Sequence, residues 1–537
     1  MITRNKATTT IEYGDYQTPL PFARSVCAKL KDVYSLSPAV VFEPTFGTGN
    51  FIESALAEFD DVQSVFGVEL NKKYFAAAQQ RILPQSFPRN ITLYNEDIFS
   101  FDFSDIKGCI TRNESILIIG NPPWVTNSQL SAINSYNLPL KENFKGHSGL
   151  DAITGKGNFD IAEYIILQLL SEFSGYNCTL AMLCKTIVAK NIIRDIENYH
   201  FEISAADMFV FNANDVFNVS CDAGLFVVTL GHNRSTVCDV FDYYTNKKER
   251  QFGWVEGAFL SNTATNDTVA NIDGICQFEW RQGIKHDCSK VMELKCNEDG
   301  TFINGFGETL SLPIGQYIFP LIKSSDIKGY IITETKKYVI VTQNKVNADT
   351  FSIEQKEKSV WDYLLRYANM LNARRSTIYK KAPPFAVFGV GDYSFSKYKI
   401  GISGFYKEPK FSLIMSDLPI MLDDTCYFIG FDNAEDALIT VALLNSYECA
   451  QFLKSIAFLD SKRPYTKEVL KRIDILKLLR LNSFDYVCNY IKTLNSGYYV
   501  SQIQYADYAN RLSGGLHLAM SFEYDSALAS HSKYAFS

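Results

Sequence analysis

The stretch Val40-Val41-Phe42-Glu43-Pro44-Thr45-Phe46-Gly47-Thr48-Gly49-Asn50-Phe51 joins an apolar, β-branched run to a glycine-punctuated turn and then to a helical pattern opening near Phe51. Gly47 and Gly49 let the backbone turn tightly and approach a ligand without Cβ obstruction. Working outward, Val65–Glu69 reads as a second strand, Lys72–Arg81 as a helix and Ile91–Tyr94 as a third strand. Ile116–Ile119 is a fourth, wholly apolar and therefore central. A helix from about Asp160 to Phe173, a strand from Thr179 to Leu183, and a pair at Met208–Phe211 and Leu225–Leu230 continue the rhythm. Strands separated by helices predict a parallel, doubly wound, Rossmann-like α/β sheet. Glu69 stands at the second strand's end, 22 residues past Gly47. That distance suits an acid bonding both ribose hydroxyls of an adenosine-containing cofactor.

Two further strand ends carry chemistry. In Asn95-Glu96-Asp97-Ile98-Phe99, Asp97 can accept from an adenine amino group with Ile98 against the ring; it can equally N-cap a short helix. Gly120-Asn121-Pro122-Pro123-Trp124 follows the buried fourth strand. Its prolines remove two N–H donors and fix the backbone. The Asn121 side-chain oxygen and the Pro122 carbonyl are left as a rigid pair of acceptors beside the flat surface of Trp124. Such a pair suits the two hydrogens of a nucleobase amino group, whose nitrogen is a poor nucleophile while its lone pair is delocalised into the ring. A plain Pro-Pro turn with a core tryptophan is the alternative.

A Gly loop, an acidic strand end, Asn-Pro-Pro-Trp and a large C-terminal region, in that order, resemble the gamma group of S-adenosylmethionine-dependent DNA adenine-N6 methyltransferases, over nearly the whole first half. Tyr16-Gln17-Thr18-Pro19 is similar to the family's opening motif, whose aromatic ring closes over the methionine moiety. Glu43 to Gly49 stands for the family's Asp-Pro-Ala-Cys-Gly-Ser-Gly loop, with Glu for Asp and Phe for Cys. The resemblance therefore implies S-adenosylmethionine as cofactor, near Tyr16, Thr18, Glu43, Pro44, Phe46, Gly47 and Gly49. Glu69 falls on the ribose, Asp97 and Ile98 on the adenine, and Asn121 between cofactor and target. Trp124 replaces the commoner Tyr or Phe, and Lys185 stands where the family often has Pro. Asp215-Val216-Phe217-Asn218-Val219-Ser220 is similar to the segment giving a second aromatic face for a flipped-out base, a role Phe217 would take unless it is a core residue. Asn121, Pro122, Trp124 and Phe217 are thus the implied catalytic set, for direct in-line transfer with no metal and no covalent enzyme intermediate. Cytosine-N4 transfer, which commonly shows Ser in place of Asn121, methylation of RNA or of a protein glutamine, and a non-catalytic DNA-binding subunit are the alternatives.

At 537 residues the chain exceeds a single domain. The α/β rhythm lapses into polar residues after about 245, so the expected division is a catalytic domain 1–245, a linker 246–275 and an α+β target-recognition domain 276–537. The last mixes strand-like runs (Tyr338–Val341, Ala386–Phe388, Tyr427–Ile429) with helices at Ala434–Leu444 and Thr466–Leu479. Net charge is −7 overall but divides into −8 for residues 1–240 and +1 for the rest. Residues 371–410 hold eight basic side chains against two acidic ones, interleaved with aromatics. An acidic half followed by a basic, aromatic patch points to a polyanion partner, here double-stranded DNA, or to an ordinary solvated face. Arg374, Arg375, Lys380, Lys381, Lys397 and Lys399 from the patch, with Arg281, Lys285 and Lys323 from segments similar to family recognition domains, are the expected DNA-binding residues. Twelve cysteines without a CxxC pair and six histidines without ligand spacing indicate no metal site and no disulfide framework, which fits a cytoplasmic location. No apolar run reaches the roughly 18 residues of a membrane span, and Met1–Thr10 lacks the apolar core of a secretory signal. A separate restriction endonuclease is a partner the resemblance allows.

Overall fold

The computed structural model describes residues 17–84, 89–126, 160–198, 201–219, 221–265, 269 and 271–514. Tyr16 lies outside them. The chain forms two compact units, 1–264 and 265–537.

The first unit is built on one ten-stranded sheet. Its strands are β1 (Val40–Glu43), β2 (Ser64–Val68), β3 (Asn90–Tyr94), β4 (Ile116–Gly120), β5 (Cys178–Lys185), β6 (Ile203–Asn212), β7 (Asp222–Leu230), β8 (Val237–Asp242), β9 (Lys248–Val255) and β10 (Ala258–Leu260). They run in the order β3-β2-β1-β4-β5-β7-β6-β8-β9-β10. The main helices are α1 (Leu20–Tyr34), α2 (Asn50–Glu58), α3 (Lys72–Ile82), α4 (Ser104–Gly108), α5 (Ile161–Glu172), α6 (Thr186–Asp195) and α7 (Ala213–Phe217). β3, β2, β1, β4 and β5 are parallel neighbours, with Phe42 opposite both Phe66 and Ile118. β1, β4 and nearly all of β5 are buried at every position, as continuous apolar strands covered on both faces should be. The doubly wound Rossmann-like expectation is met here.

Two details differ from the parallel reading. β7 runs antiparallel to both β5 and β6, because the connection Ala213–Cys221 is shorter than the roughly dozen residues a parallel crossover needs. Residues 246–275 are not a linker throughout: β9 and β10 within them extend the sheet antiparallel beyond β8. The strand Lys248–Val255 opens on four polar residues, Lys248 to Gln251, before Phe252-Gly253-Trp254-Val255, and only Phe252 and Gly253 in it are buried.

Unit two is α+β. Its strands are β11 (Arg281–Gln282), β12 (Glu293–Cys296), β13 (Phe302–Ile303), β14 (Thr309–Leu310), β15 (Ile318–Ile322), β16 (Ile331–Ile332), β17 (Lys337–Ile340), β18 (Tyr398–Ser403), β19 (Phe411–Met415), β20 (Met421–Leu422) and β21 (Cys426–Phe431). A six-stranded sheet follows the order β14-β13-β12-β17-β15-β20, and a five-stranded sheet the order β11-β21-β18-β19-β16. In the latter, β18 lies between β19 and β21 and is antiparallel to both. Helix α8 (Ala434–Leu444) matches its predicted span, capped by the Asn433 side chain accepting from the Asp436 N–H. The predicted helix Thr466–Leu479 is broken in two, Lys467–Leu470 and Ile475–Leu481, where Asp474 N-caps the second piece. Ala386–Phe388 contributes only the single bridge Lys285↔Phe388. Among the described residues no helix is long and apolar enough to cross a membrane.

Candidate functional site

Strand order reverses between β1 and β4: β2 and β3 lie to one side, β4 and β5 to the other. In open α/β sheets the crevice beyond the carboxyl ends of the strands at such a point takes the ligand. A pocket lies there. It is lined by Pro44, Thr45 and Gly47 after β1, Glu69, Leu70 and Asn71 after β2, Glu96 to Phe99 after β3, and Asn121 and Pro123 after β4. Gln17, Tyr74, Ile161 and Ile165 complete the wall. Pro44, Gly47, Glu69, Asp97, Ile98 and Asn121, dispersed over nearly 80 residues of sequence, are thus brought to one cavity.

The Gly loop is shaped by two carboxylates. Gly47 and Gly49 both have positive φ, +54° and +80°, and a Cβ on Gly49 would stand 2.5 Å from Ile82 Cδ1. The Gly47 N–H donates to Glu69 Oε2 at 2.8 Å, and the Asn71 N–H to Glu69 Oε1 at 2.6 Å. Glu69 therefore ties the loop after β1 to the turn after β2 while lining the pocket. Glu43 is not on the wall. It is buried, and its Oε2 accepts from the Ile52 N–H at 3.1 Å, capping α2, whose N-cap residue Gly49 has no side chain to do so. Burial, reinforced by the charge of Glu69, pushes its carboxyl well above the usual carboxylate range. Phe46 is also buried, its N–H bonded to the Val68 carbonyl; it anchors the loop from beneath. These two and Gly49 shape the site without lining the pocket.

Thr18 links the two strand ends. Its carbonyl accepts from Asn50 Nδ2 at 2.7 Å and its hydroxyl from Asn121 Nδ2 at 3.2 Å. The second bond orients the Asn121 amide, turning its oxygen away from Thr18. Asp97 Oδ1 accepts from the Phe99 N–H at 3.0 Å, closing a turn rather than capping a helix, and the residue faces the pocket. Ile98 is buried, and its carbonyl is held by Gln168 Nε2 at 3.2 Å.

Trp124 and Phe217 do not display the base-facing roles expected of them. Trp124 is 4% and Phe217 9% exposed, and their rings meet edge to face with centroids 5.1 Å apart. The indole N–H donates to the Leu183 carbonyl at 3.1 Å. A buried indole needs such a partner, and finding it at the end of β5 turns the ring into the core and off the pocket wall. Pro122 is buried beside it.

Sequence reasoning missed what fastens this segment. Lys185 Nζ donates to the Trp124 carbonyl at 2.9 Å and to Asp160 Oδ2 at 2.7 Å. Asp160 is 8% exposed, and its other oxygen caps α5 by accepting from the Ala162 N–H. Burial raises its carboxyl pKa, against the opposing pull of Lys185. Pocket residues Tyr74 and Ile165 belong to no motif, and Gln17 and Phe99, though inside quoted motifs, were assigned no role.

In unit two the expected basic residues fare unequally. Lys399 is 1% exposed, on a strand buried from both faces, with Nζ donating to the Ser396 carbonyl at 2.6 Å; burial lowers its pKa to about 7. It cannot reach a phosphate. Arg374 donates to the carbonyls of Leu371, His286 and Ala386 and stacks on Tyr379 at 3.7 Å, and burial lowers its pKa; it organises its own loop. Lys323 is paired with Glu293, Lys397 with Asp417, Lys285 with Asp287 and Arg281 with Glu279. Arg375, Lys380 and Lys381 are exposed and form no ion pair among the described residues.

No family model matches the chain. It is 39% identical to the type II methyltransferase M.NspV of Nostoc sp. over 481 residues, 89% of this chain and 99% of that one. Among solved structures it is similar to the type I restriction-modification system methyltransferase subunit from Streptococcus thermophilus (16% identity, TM-score 0.32, 47% of this chain and 51% of that one). It is also similar to the type IIG restriction endonuclease BpuSI (14% identity, TM-score 0.34, 92% of this chain and 65% of that one).

Proposed function

The chain belongs to the type II methyltransferases, and from that premise we propose that it methylates adenine N6 in double-stranded DNA, on a base turned out of the helix, with S-adenosylmethionine as donor. The observation that carries the reading is Asn121: an amide oriented by Thr18 that lines the same pocket as the Gly47–Glu69 link.

The pocket fits the donor's adenosine half. Glu69 and Asp97 present carboxylates on adjacent strand ends, Ile98 an apolar surface, and the buried Thr45 hydroxyl has no hydrogen-bond partner among the described residues, a state that a polar ligand relieves. Glu69 would hold the ribose, and Asp97 with Ile98 the adenine. When bound, S-adenosylmethionine supplies an electrophilic methyl carbon. The Asn121 oxygen and the Pro122 carbonyl accept the two hydrogens of the target amino group. Held this way the nitrogen becomes pyramidal and its lone pair is directed out of the ring. No dedicated base is required, because the methylated nitrogen is strongly acidic and its proton leaves to solvent. Trp124 serves this arrangement by anchoring the segment that carries both acceptors.

DNA affinity is assigned to Arg375, Lys380 and Lys381 of the basic patch, as sequence-independent phosphate contacts. The type II name of the relative makes a separate restriction endonuclease the natural partner.

Asn121→Ala tests the reading. Methyl transfer should fall by at least about 10²–10³-fold, the scale of removing one preorganised polar group from a transition state, with S-adenosylmethionine binding retained by calorimetry. Single-molecule sequencing of DNA from a methylation-free host expressing the wild type should show N6-methyladenine in one sequence context. Full activity of Asn121→Ala, or N4-methylcytosine as the product, overturns the assignment.

A further inference from the structure

Pro122 and Pro123 carry no N–H, so the segment Asn121–Val125, which has no regular structure, is held from outside. Among the described residues, four hydrogen bonds do this. Thr18 accepts from Asn121 Nδ2, the Leu183 carbonyl from the Trp124 indole, the Val125 carbonyl from the Ile161 N–H at 2.9 Å, and the Trp124 carbonyl from Lys185 Nζ. Of these four, the last alone involves a charge. Lys185 is itself aimed by Asp160, which is fixed at the N-terminus of α5 by its cap bond to Ala162.

Stability alone is a poor reason for this pair. Desolvating two charges is costly, and an apolar pair of similar size is often as stable or more so. What an ammonium between a carboxylate and a carbonyl adds is direction. It fixes one main-chain oxygen two residues beyond Pro122, in a stretch whose other fastenings among the described residues are neutral.

We propose that Lys185 is a positioning residue for methyl transfer: clamped between Asp160 and the Trp124 carbonyl, it sets where the Pro122 carbonyl and the Asn121 amide stand relative to the pocket. The inference rests on the reading of those two groups as the acceptors of the target amino group. Lys185 touches neither substrate, and it acts through the backbone it holds.

The test uses the full chain with its own methylated sequence as duplex substrate. Asp160→Asn/Lys185→Met removes the clamp without leaving a buried unpaired charge, and Asn keeps the cap on α5. Because a displacement of about 1 Å can cost roughly 10²-fold in rate, the single-turnover rate should fall by about 10- to 100-fold while S-adenosylmethionine affinity stays within about 3-fold. Lys185→Arg, which keeps a charged donor, should recover most of the rate. An unchanged rate overturns the proposal, and so does a rate loss matched by equal loss of cofactor affinity or left unrescued by Lys185→Arg, since these mark general loosening. Asn121→Ala measured alongside separates the two claims: if it remains active, the proposed function fails whatever Lys185 does.

Discussion

Two regions of this chain were singled out by pattern, and they behave differently in three dimensions. The expected site residues of unit one are scattered along the sequence, yet six of them, from Pro44 to Asn121, line one pocket. The basic patch of unit two is nearly contiguous in sequence, yet its charges disperse: one lysine is buried, one arginine is consumed by backbone carbonyls, and Lys397 is paired. The difference is topological. A loop after a parallel strand must emerge at the carboxyl edge of the sheet, so strand order alone brings distant loops together. A run of basic residues fixes no side-chain direction, and each charge goes where its own turn or strand sends it.

The largest effect is expected at three of the patch's exposed charges, Arg375, Lys380 and Lys381, which form no ion pair among the described residues. Arg375→Glu/Lys380→Glu/Lys381→Glu should weaken binding to any duplex alike and lower the magnitude of the salt slope of log K by roughly 3, at about 0.9 for each phosphate no longer neutralised. Cofactor affinity should not change. Titrations by anisotropy at several salt concentrations read both, and an unaltered slope would mean the patch is a solvated face, leaving unit two with no electrostatic role that composition could reveal.

A smaller effect is expected at the pocket. Glu69→Gln keeps the shape but places an amide NH2 against a backbone N–H of Gly47 or Asn71. Losing a charge-assisted bond costs about 1.5–3 kcal/mol, so S-adenosylmethionine affinity should drop by roughly 10- to 100-fold while DNA affinity is kept. Calorimetry decides it. Equal affinity in both proteins would confine Glu69 to holding the Gly loop.

How much was legible follows from the same contrast. Apolar strands bounded by Gly and Pro, with an acid 22 residues past Gly47, gave the parallel half of the sheet and the pocket residues at its edge. The direction of β7 was not legible, because it depends on the length of a connection rather than on the strand's own residues. Nor was the burial of Trp124: Asn-Pro-Pro-Trp specifies a rigid turn, but which way the indole swings depends on the Leu183 carbonyl, 59 residues on. Lys185 looked like a departure from a pattern. Its role exists only once β5 lies beside β4 and brings the ammonium under the Trp124 carbonyl.

The mildest prediction concerns Lys399, which composition counted with Arg375 and structure does not. Lys399→Met should leave DNA affinity and its salt slope unchanged, and should instead alter stability. Burial lowers the folded-state pKa from the ordinary 10.5 to about 7. Between those values the unfolded chain binds the proton and the folded chain does not, so this group makes stability rise with pH across the window and adds no slope below about pH 7. Near pH 7 the methionine variant, freed of a buried amine whose bond is to the Ser396 carbonyl, should be the more stable by about 1–3 kcal/mol. The difference should move steadily in favour of the lysine protein as pH rises toward 10. Urea unfolding of both proteins from pH 7 to 10 gives the difference curve. A flat difference, or a loss of DNA affinity in the variant, would return Lys399 to the surface charges and erase the distinction between a patch read from composition and one formed in the fold.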